Sequence, residues 1–299
     1  MGSDPDSMEG SGGSDTPADG MGGAAAVDDS TIVDVAADAD SLTSLVGALE
    51  AAGLVEALSA DGEFTVFAPD DAAFEAFEAE NPGVLASLSE DELRAVLTYH
   101  VVGAQVRSSD LVSGSIAQTL SGDYVAIDLS DGVKVNSAVV TSADIAASNG
   151  VIHVIDRIIL PPSENVVETA VSAGSFSQLA SALVATGLDE TLSTGGPFTV
   201  FAPPDAAFEA FESENPGVLA SLSTEQLSEV LLYHVTEGWV GAADLEDGAS
   251  VPTLLEGASL SVDLSSGVVI NSSSVDSANI LTTNGVIHVI DEILLPPSP

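Results

Sequence analysis

The four histidines are the side chains of this sequence best suited to acid–base or metal chemistry. His100 and His234 are 134 residues apart, and His153 and His288 are 135 residues apart, so the four occupy two repeated positions. An imidazole titrates near neutral pH and is a common metal ligand, so a general base or a pair of metal sites is the functional interpretation. No helical HExxH pattern and no histidine-rich spacing accompanies them. We therefore predict that each is a buried hydrogen-bonding residue, at the start of a strand or within one.

Patterns for other catalytic chemistry are missing. The chain has no cysteine, which excludes disulfides, thiolate zinc sites and a cysteine nucleophile. It has no GxSxG nucleophile elbow, and the part beyond Arg157 cannot hold a GxxxxGK[ST] phosphate loop because it has no lysine. The DxDxDG calcium loop is also absent, although clustered carboxylates could hold Ca²⁺ or Mg²⁺ loosely. We predict no catalytic residue, no cofactor and no dedicated metal site, and hence a protein that is not an enzyme.

The charge is strongly acidic. The chain has 47 Asp and Glu against 4 Lys and Arg, a formal net charge of -43, and the basic residues are Arg94, Arg107, Lys134 and Arg157. Repulsion among so many carboxylates destabilises a compact state in dilute buffer, whereas multimolar salt screens it. Phosphate binding needs the missing cations, so nucleic acid is excluded as a partner. The composition resembles that of proteins from extreme halophiles such as haloarchaea; an acidic protein from an ordinary organism is the alternative.

The ends of the chain carry few signals. No stretch reaches the roughly 18 consecutive apolar residues that a membrane span needs. The amino terminus lacks the charged and apolar regions of an export signal, so both a cytoplasmic protein and a processed exported one fit. Residues 1–29 consist largely of Gly, Ser, Asp and Ala, which cannot bury enough surface to offset the entropy of ordering. We predict a disordered acidic tether there.

From residue 30 onward the sequence repeats. The segment Phe64–Ser89 matches Phe198–Ser223 at 24 of 26 positions, and one residue is gained between Leu254 and Asp263. A repeat of this length is a whole domain rather than a solenoid unit. We predict two domains, residues 30–162 and 163–299, joined after a stiff proline pair.

Within each copy, helix patterns come first. Leu42, Leu45, Val46 and Leu49 recur at helical spacing, and Gly53 suits the end of that helix. Asp71 is predicted to cap a second helix, which presents two phenylalanines. Ser89 with Glu92, and Ser223 with Gln226, form capping boxes of a third.

Strand patterns surround and follow the helices. Phe64–Ala68 is a β-type run stopped by Pro69, and the short runs Tyr124–Leu129 and Val133–Val135 lie between glycine turns. Val151–Leu160 is apolar on both faces apart from His153, Asp156 and Arg157, and is predicted to be a central strand. Helices first and mostly strands after them indicate an α+β fold.

Three motifs now identify a family. They are an FTVFAP(D/P)DAAF run, a Tyr-His pair and an NGVIHVID run that ends in two prolines. Together they are similar to the fasciclin domain, and the resemblance covers both copies. It implies a β-wedge or sandwich packed with short helices, and extracellular or cell-surface adhesion without enzymatic activity. The motifs lie at Phe64–Phe74, Tyr99-His100 and Asn149–Pro162, and again at Phe198–Phe208, Tyr233-His234 and Asn284–Pro297.

The resemblance also implies where binding resides. Fasciclin domains that bind cell-surface receptors carry an Asp-Ile pair before the NG of the third motif, which corresponds here to Asp144-Ile145. The second copy has Asn279-Ile280, in which the acid has become an amide. Trp239, the only tryptophan, stands where the first copy has Gln105, and an exposed tryptophan would be a binding hot spot.

These positions lead to one prediction of function with an alternative. We predict binding of a cell-surface protein or polysaccharide at these residues, with the Tyr-His pairs and the remaining two histidines structural. The alternative is a structural spacer of the cell envelope that has no specific ligand.

Overall fold

A computed structural model describes residues 29–297, so the predicted tether lies outside the described residues except for Asp29. The first copy contains six helices and seven strands, with a 3₁₀ turn at Ser108–Asp110 between β2 and β3. They are α1 Ile32–Asp38, α2 Thr43–Ala51, α3 Val55–Ser59, β1 Phe64–Pro69, α4 Asp71–Glu80, α5 Val84–Ser87, α6 Glu90–Tyr99, β2 Val101–Val102, β3 Ile116–Gln118, β4 Tyr124–Asp128, β5 Lys134–Val135, β6 Ala138–Ala147 and β7 Gly150–Ile155.

The second copy repeats this element order, with its 3₁₀ turn at Ala242–Asp244. Its elements are α7 Val166–Ser172, α8 Ser177–Thr186, α9 Leu188–Thr194, β8 Phe198–Ala202, α10 Asp205–Glu214, α11 Val218–Ser221, α12 Thr224–Tyr233, β9 Val235–Glu237, β10 Ser250–Pro252, β11 Ser259–Asp263, β12 Val269–Ile270, β13 Ser273–Leu281 and β14 Gly285–Ile290.

Each copy builds one mixed seven-stranded sheet. The strand orders are β2-β1-β7-β6-β5-β4-β3 and β10-β11-β12-β13-β14-β8-β9. The pairs β1–β7 and β8–β14 are parallel, and the other pairs are antiparallel. The predicted α+β class is therefore confirmed, with two tandem domains of the same fold.

Two apolar clusters support each sheet. In the first domain one cluster joins α1, α2 and α3 to β1 and β7, and the other fills the wedge between Phe67, Tyr99 and strands β4, β5 and β7. The second domain has the same pair of clusters. In each domain one strand, β7 or β14, contributes to both clusters of that domain. These strands are therefore buried on both faces, which explains why their sequences are almost continuously apolar.

The predicted helix cap is wrong by one residue. Asp70, not Asp71, caps α4, because its carboxylate accepts a hydrogen bond from the Ala73 amide at 2.8 Å. The Asp71 carboxylate instead accepts from the Thr43 hydroxyl at 2.8 Å and the Ser44 amide at 2.7 Å. It therefore satisfies the amino terminus of α2 and ties the two helices together.

Strand ends also differ from the prediction. The apolar run Val151–Leu160 is a strand only as far as Ile155. The chain turns at Asp156, whose carboxylate accepts a hydrogen bond from the Val139 amide at 2.7 Å. Ile159 then returns to the core, whereas Leu160 is exposed. Both predicted capping boxes are present, at Ser89 and Ser223.

Candidate functional site

The histidines of the third motif are internal supports of β7 and β14. His153 is fully buried, stacks on Phe67 at 5.7 Å and faces the Val106 carbonyl with Nε2 at 2.9 Å. Its Nδ1 accepts a hydrogen bond from the Asp144 amide at 3.3 Å. His288 repeats this arrangement with Phe201, Val240 and Asn279. In both rings Nε2 donates to a backbone carbonyl and Nδ1 accepts from a backbone amide.

The histidines of the Tyr-His pairs end α6 and α12. Nδ1 of His100 donates to the Val96 carbonyl at 2.7 Å, and Nε2 accepts from the Ile159 amide at 3.1 Å. His234 makes the same contacts with Val230 and Leu294. Burial lowers the pKa of both imidazoles to about 4, against a weaker opposing effect of the carbonyl. Both nitrogens of each ring are occupied, so neither ring is free to act as a base or a metal ligand.

We expect nuclear magnetic resonance to show His100 and His234 neutral down to a pH near 4. Their unfolded pKa near 6.5 lies above the folded value, so the unfolded chain binds more protons between these pH values. The stability contribution is complete above about pH 6.5 and is lost as the pH falls towards 4, on the order of 3 kcal/mol for each residue. Titration of either ring near pH 6.5 in the folded protein would contradict this assignment.

Asp144 lies in a bulge of β6. The register of β6 on β7 shifts twice around it, and its backbone is left-handed with φ 59°, a conformation that Asp and Asn tolerate better than most residues. Its exposed carboxylate accepts hydrogen bonds from the amide (2.8 Å) and the hydroxyl of Ser108. These bonds lower the pKa of Asp144, so it is a carboxylate at neutral pH. Ile145 is half-buried and packs against the apolar cluster that joins α1, α2 and α3 to β1 and β7.

Asn279 occupies the same bulge in β13 with the same φ of 59°. Its Oδ1 accepts from the Ala242 amide at 3.0 Å, as Asp144 accepts from Ser108. Its Nδ2 donates at 2.8 Å to the carbonyl of Gly114, which belongs to the first domain. The Asn279 side chain thus makes the same kind of local hydrogen bond as Asp144 and adds a hydrogen bond between the domains. Ile280 packs against the helical cluster of its own domain.

Trp239 belongs to the same contact between domains. Its ring stacks on Tyr124 of the first domain, with centroids 4.6 Å apart and planes inclined by 28°. The Ala243 amide also donates to the Gly114 carbonyl, at 2.9 Å. Trp239 and Asn279 therefore bind the first domain of the same chain, whereas the equivalent Gln105 and Asp144 are exposed. In the sequence, only the differences between the copies at these two positions pointed to a special role for Trp239 and Asn279. Nothing in the sequence marked their partners, Tyr124 and Gly114.

A cleft of about 630 Å³ lies beside this contact. Both domains line it, with Asp128 and Asn136 from the first and Asp276 and Asn279 from the second. Its lining contains no Lys, Arg or His. A phosphate or carboxylate ligand would find no opposite charge there.

The described residues hold no group of three or more His, Asp or Glu arranged to bind a metal ion. No helix between residues 29 and 297 has the length and apolar character needed to cross a bilayer.

The Tyr99 hydroxyl donates to the Tyr124 carbonyl at 2.7 Å and accepts from Asn136 at 2.9 Å, and Tyr233 bonds Ser259 and Asn271 in the same way. Each Tyr-His pair thus connects its helix to the wedge strands.

Comparison with known families agrees with this repeated geometry. The family model described as the Fasciclin domain matches residues 40–161 and again residues 174–296. The chain belongs to the fasciclin domain family. Its two fasciclin domains are those whose sheets and clusters are described above.

Several relatives share these domains. Protein sll1483 of Synechocystis sp. is 51% identical over 137 residues, which cover 44% of this chain and 74% of that protein. Transforming growth factor-beta-induced protein ig-h3 of Sus scrofa is 34% identical over 242 residues, or 79% of this chain. Periostin of Homo sapiens is 30% identical over 256 residues, or 83% of this chain. The chain spans 35% and 30% of the lengths of the latter two.

A solved structure covers most of the chain. It is a FAS1 domain pair from the insect cell adhesion molecule Fasciclin I, with a TM-score of 0.43 and 20% sequence identity. The match covers 85% of this chain and 97% of that one.

Replacing Asn279 by aspartate is expected to loosen the contact between the two fasciclin domains. The carboxylate has no proton to donate and repels the Gly114 carbonyl oxygen. Trp239 is the only tryptophan, so greater exposure of its ring should shift the emission to longer wavelength, and X-ray scattering should give a larger radius of gyration. Asp144→Asn, the reverse exchange in the first domain, is the matched control. Unchanged emission and radius in Asn279→Asp would show that the amide is not needed for docking.

Proposed function

We propose that this chain is a non-enzymatic adhesion or binding module that acts at the cell surface or outside the cell. Its partner is a surface protein or a polysaccharide, and its domains comprise residues 30–162 and 163–299. Membership in the fasciclin domain family supports this function. High-salt adaptation is part of the proposal and is supported by the net charge of -43.

One observation supports placing the binding face on the first domain. The Asp-Ile position of the second domain is held against the first domain by Asn279 and Trp239. In the first domain Asp144 and Gln105 are exposed, and Arg107 next to Ser108 is exposed as well. The carboxylate keeps acceptor capacity beyond its two bonds from Ser108. We therefore assign partner binding to the first domain and domain docking to the second.

A carboxylate at this face favours a partner with hydrogen-bond donors or cations. Sugar hydroxyls and basic side chains both satisfy it, and a divalent cation could bridge it to an acidic partner. The amide of asparagine would serve only as a weaker, uncharged acceptor. Divalent cations held loosely by the acidic surface remain part of the prediction.

The spacer function is a second candidate, and the domain contact favours it. Tyr124 stacked on Trp239, together with two hydrogen bonds to the Gly114 carbonyl, holds the domains in one orientation. A spacer needs this orientation and no open binding face. Adhesion to cells or to isolated envelope polysaccharide separates the two candidates, because a spacer shows none.

Asp144→Asn is expected to weaken adhesion of beads coated with the chain by about fivefold, because a neutral hydrogen bond replaces a charge-assisted one, a difference of ~1 kcal/mol. The fold should persist, since Asn279 occupies the same bulge in the second domain. Asp61→Asn, which changes one exposed acid elsewhere, is the control. Equal adhesion of both variants, with equal melting temperatures, would leave Asp144 as a turn residue only.

A further inference from the structure

One stretch of exposed surface is nearly identical in the two domains. Segments 64–89 and 198–223 differ at two of 26 positions, whereas the preceding 33 positions, 31–63 against 165–197, share only 14 residues. The agreement extends to exposed side chains of α4 and α10, of the turns that follow them, and of the short helices α5 and α11. Positions exposed and identical in both copies include Ala72, Glu75, Ala76, Glu78, Glu80, Pro82, Val84 and Ala86, and their partners 134 residues on.

Folding accounts for only part of this agreement. Glu78 accepts a hydrogen bond from the Gly83 amide at 2.6 Å, and Glu212 accepts one from Gly217 at the same distance. Within the described residues Glu75 and Glu80 make no side-chain hydrogen bond or ion pair. The same holds for their equivalents, Glu209 and Glu214. A solvated acidic face needs some acid at these places, but it does not need the same residue each time.

A groove runs beside this surface in both domains. In the first it lies between α4 and the segment that follows β7, has a volume of about 390 Å³, and is lined by Ala76, Phe77, Glu80, Asp156 and Leu160 among others. The second groove has about 360 Å³. Its corresponding lining residues are Ala210, Phe211, Glu214, Asp291 and Leu295.

The groove offers an apolar wall and a negative rim. Leu160 and Leu295 are 51% and 50% exposed, which places an apolar side chain in water at the same point twice. Carboxylates line the grooves together with these leucines, from Glu80 and Asp156 in the first groove and from Glu214 and Asp291 in the second. The two grooves differ at one charged position: Arg157 of the first groove corresponds to Glu292 of the second. The second groove therefore has three acids, and its lining contains no cation.

We propose that these paired grooves bind a polypeptide segment in which an apolar side chain lies between basic ones. The apolar side chain packs against phenylalanine and leucine, and the flanking Lys or Arg meet the carboxylates, so charge complementarity selects this occupant. The volumes suit a short segment rather than a large ligand. The second groove, which lacks Arg157, binds more tightly. This site consists of residues other than the Asp144 face and does not depend on it.

The test uses the peptide Lys-Leu-Lys-Leu-Lys and the equally charged Lys-Ser-Lys-Ser-Lys. In about 1 M KCl long-range attraction between charges is screened, so binding reports short-range contacts. Only the leucine peptide is expected to shift the backbone resonances of Phe211, Glu214 and Ile293, which all line the second groove. At higher concentration it should also shift those of Phe77 and Glu80 in the first groove. Equal shifts with both peptides, or no shifts at the grooves, would overturn the proposal.

A charge reversal sharpens the test. Glu292→Arg gives the second groove the residue that the first already has at this position, so we expect the second domain to stay folded, which its melting temperature checks. It should weaken leucine-peptide binding to the second groove about fivefold. Glu246→Arg changes the charge of an exposed acid elsewhere in the same domain and should leave that affinity unchanged. Equal weakening by both would show attraction to net charge alone and would contradict a site. Leu295→Ser, at an exposed apolar position, should also weaken binding.

Discussion

Replacing Gly150 by alanine is expected to unfold the first fasciclin domain and to leave the second folded. A Cβ atom at this position would lie 2.1 Å from the Phe64 carbonyl oxygen and 2.8 Å from Cδ1 of Ile32. Gly150 faces Phe64 in the parallel pairing of β1 and β7, so relief of the clash would separate two central strands. We expect a loss of roughly 4 kcal/mol or more, which is at the extreme for a single substitution. Calorimetry of thermal unfolding measures this loss of stability.

The surroundings of Gly150 leave little room for adjustment. The preceding Asn149 is buried, and its side chain bonds Ile32, Leu58 and Ala60 at 2.8 to 2.9 Å. The backbone therefore cannot shift to accept a methyl group without breaking these bonds. This is the physical reason for the NG pair of the third motif.

A matched control is available in the same domain. Gly47 lies within α2 with nothing within 4 Å of an added Cβ, so Gly47→Ala should be neutral or stabilise the helix by up to ~1 kcal/mol. Gly285→Ala repeats the clash in the second domain, 2.2 Å from the Phe198 carbonyl oxygen. It should unfold that domain instead. A native melting curve for Gly150→Ala would refute the packing described here.

The melting temperature should rise steeply with KCl, by roughly 10 °C or more between dilute buffer and about 2 M. A gain of a few kcal/mol in stability corresponds to such a shift for a chain of this size. The net charge is -43, and the only ion pairs among the described residues are Arg94 with Glu90 and Lys134 with Asp131. The second domain has no Lys or Arg. It should therefore be the more salt-dependent of the two.

Two contributions to the salt effect can be separated. Screening of surface charge is nearly complete at about 1 M, and further gains reflect exclusion of salt from apolar surface. Sucrose is also excluded from the surface but does not screen charge. It should reproduce only the second contribution. A melting temperature that stays flat from dilute buffer to 2 M KCl would refute adaptation to high salt.

Much of the fold could be predicted from the sequence because its determinants are local or repeated. The capping boxes at Ser89 and Ser223 depend on residues three positions apart, and the periodicity of the helices and strands depends on neighbours within a turn or two. The repeat then showed that one α+β domain occurs twice.

The tertiary structure decided which partners distant residues have. Asp71 and Asp70 are both good helix caps, and only the position of α2 shows that Asp71 bonds Thr43 and Ser44. Asp144 and Asn279 occupy equivalent bulges with the same backbone conformation, and the sequence shows only that one is an acid and the other an amide. Only the approach of Gly114, 165 residues away along the chain, turns Asn279 into a contact between domains. Such contacts depend on how the two folded domains are oriented relative to each other. The spacing of residues within one domain does not specify that orientation.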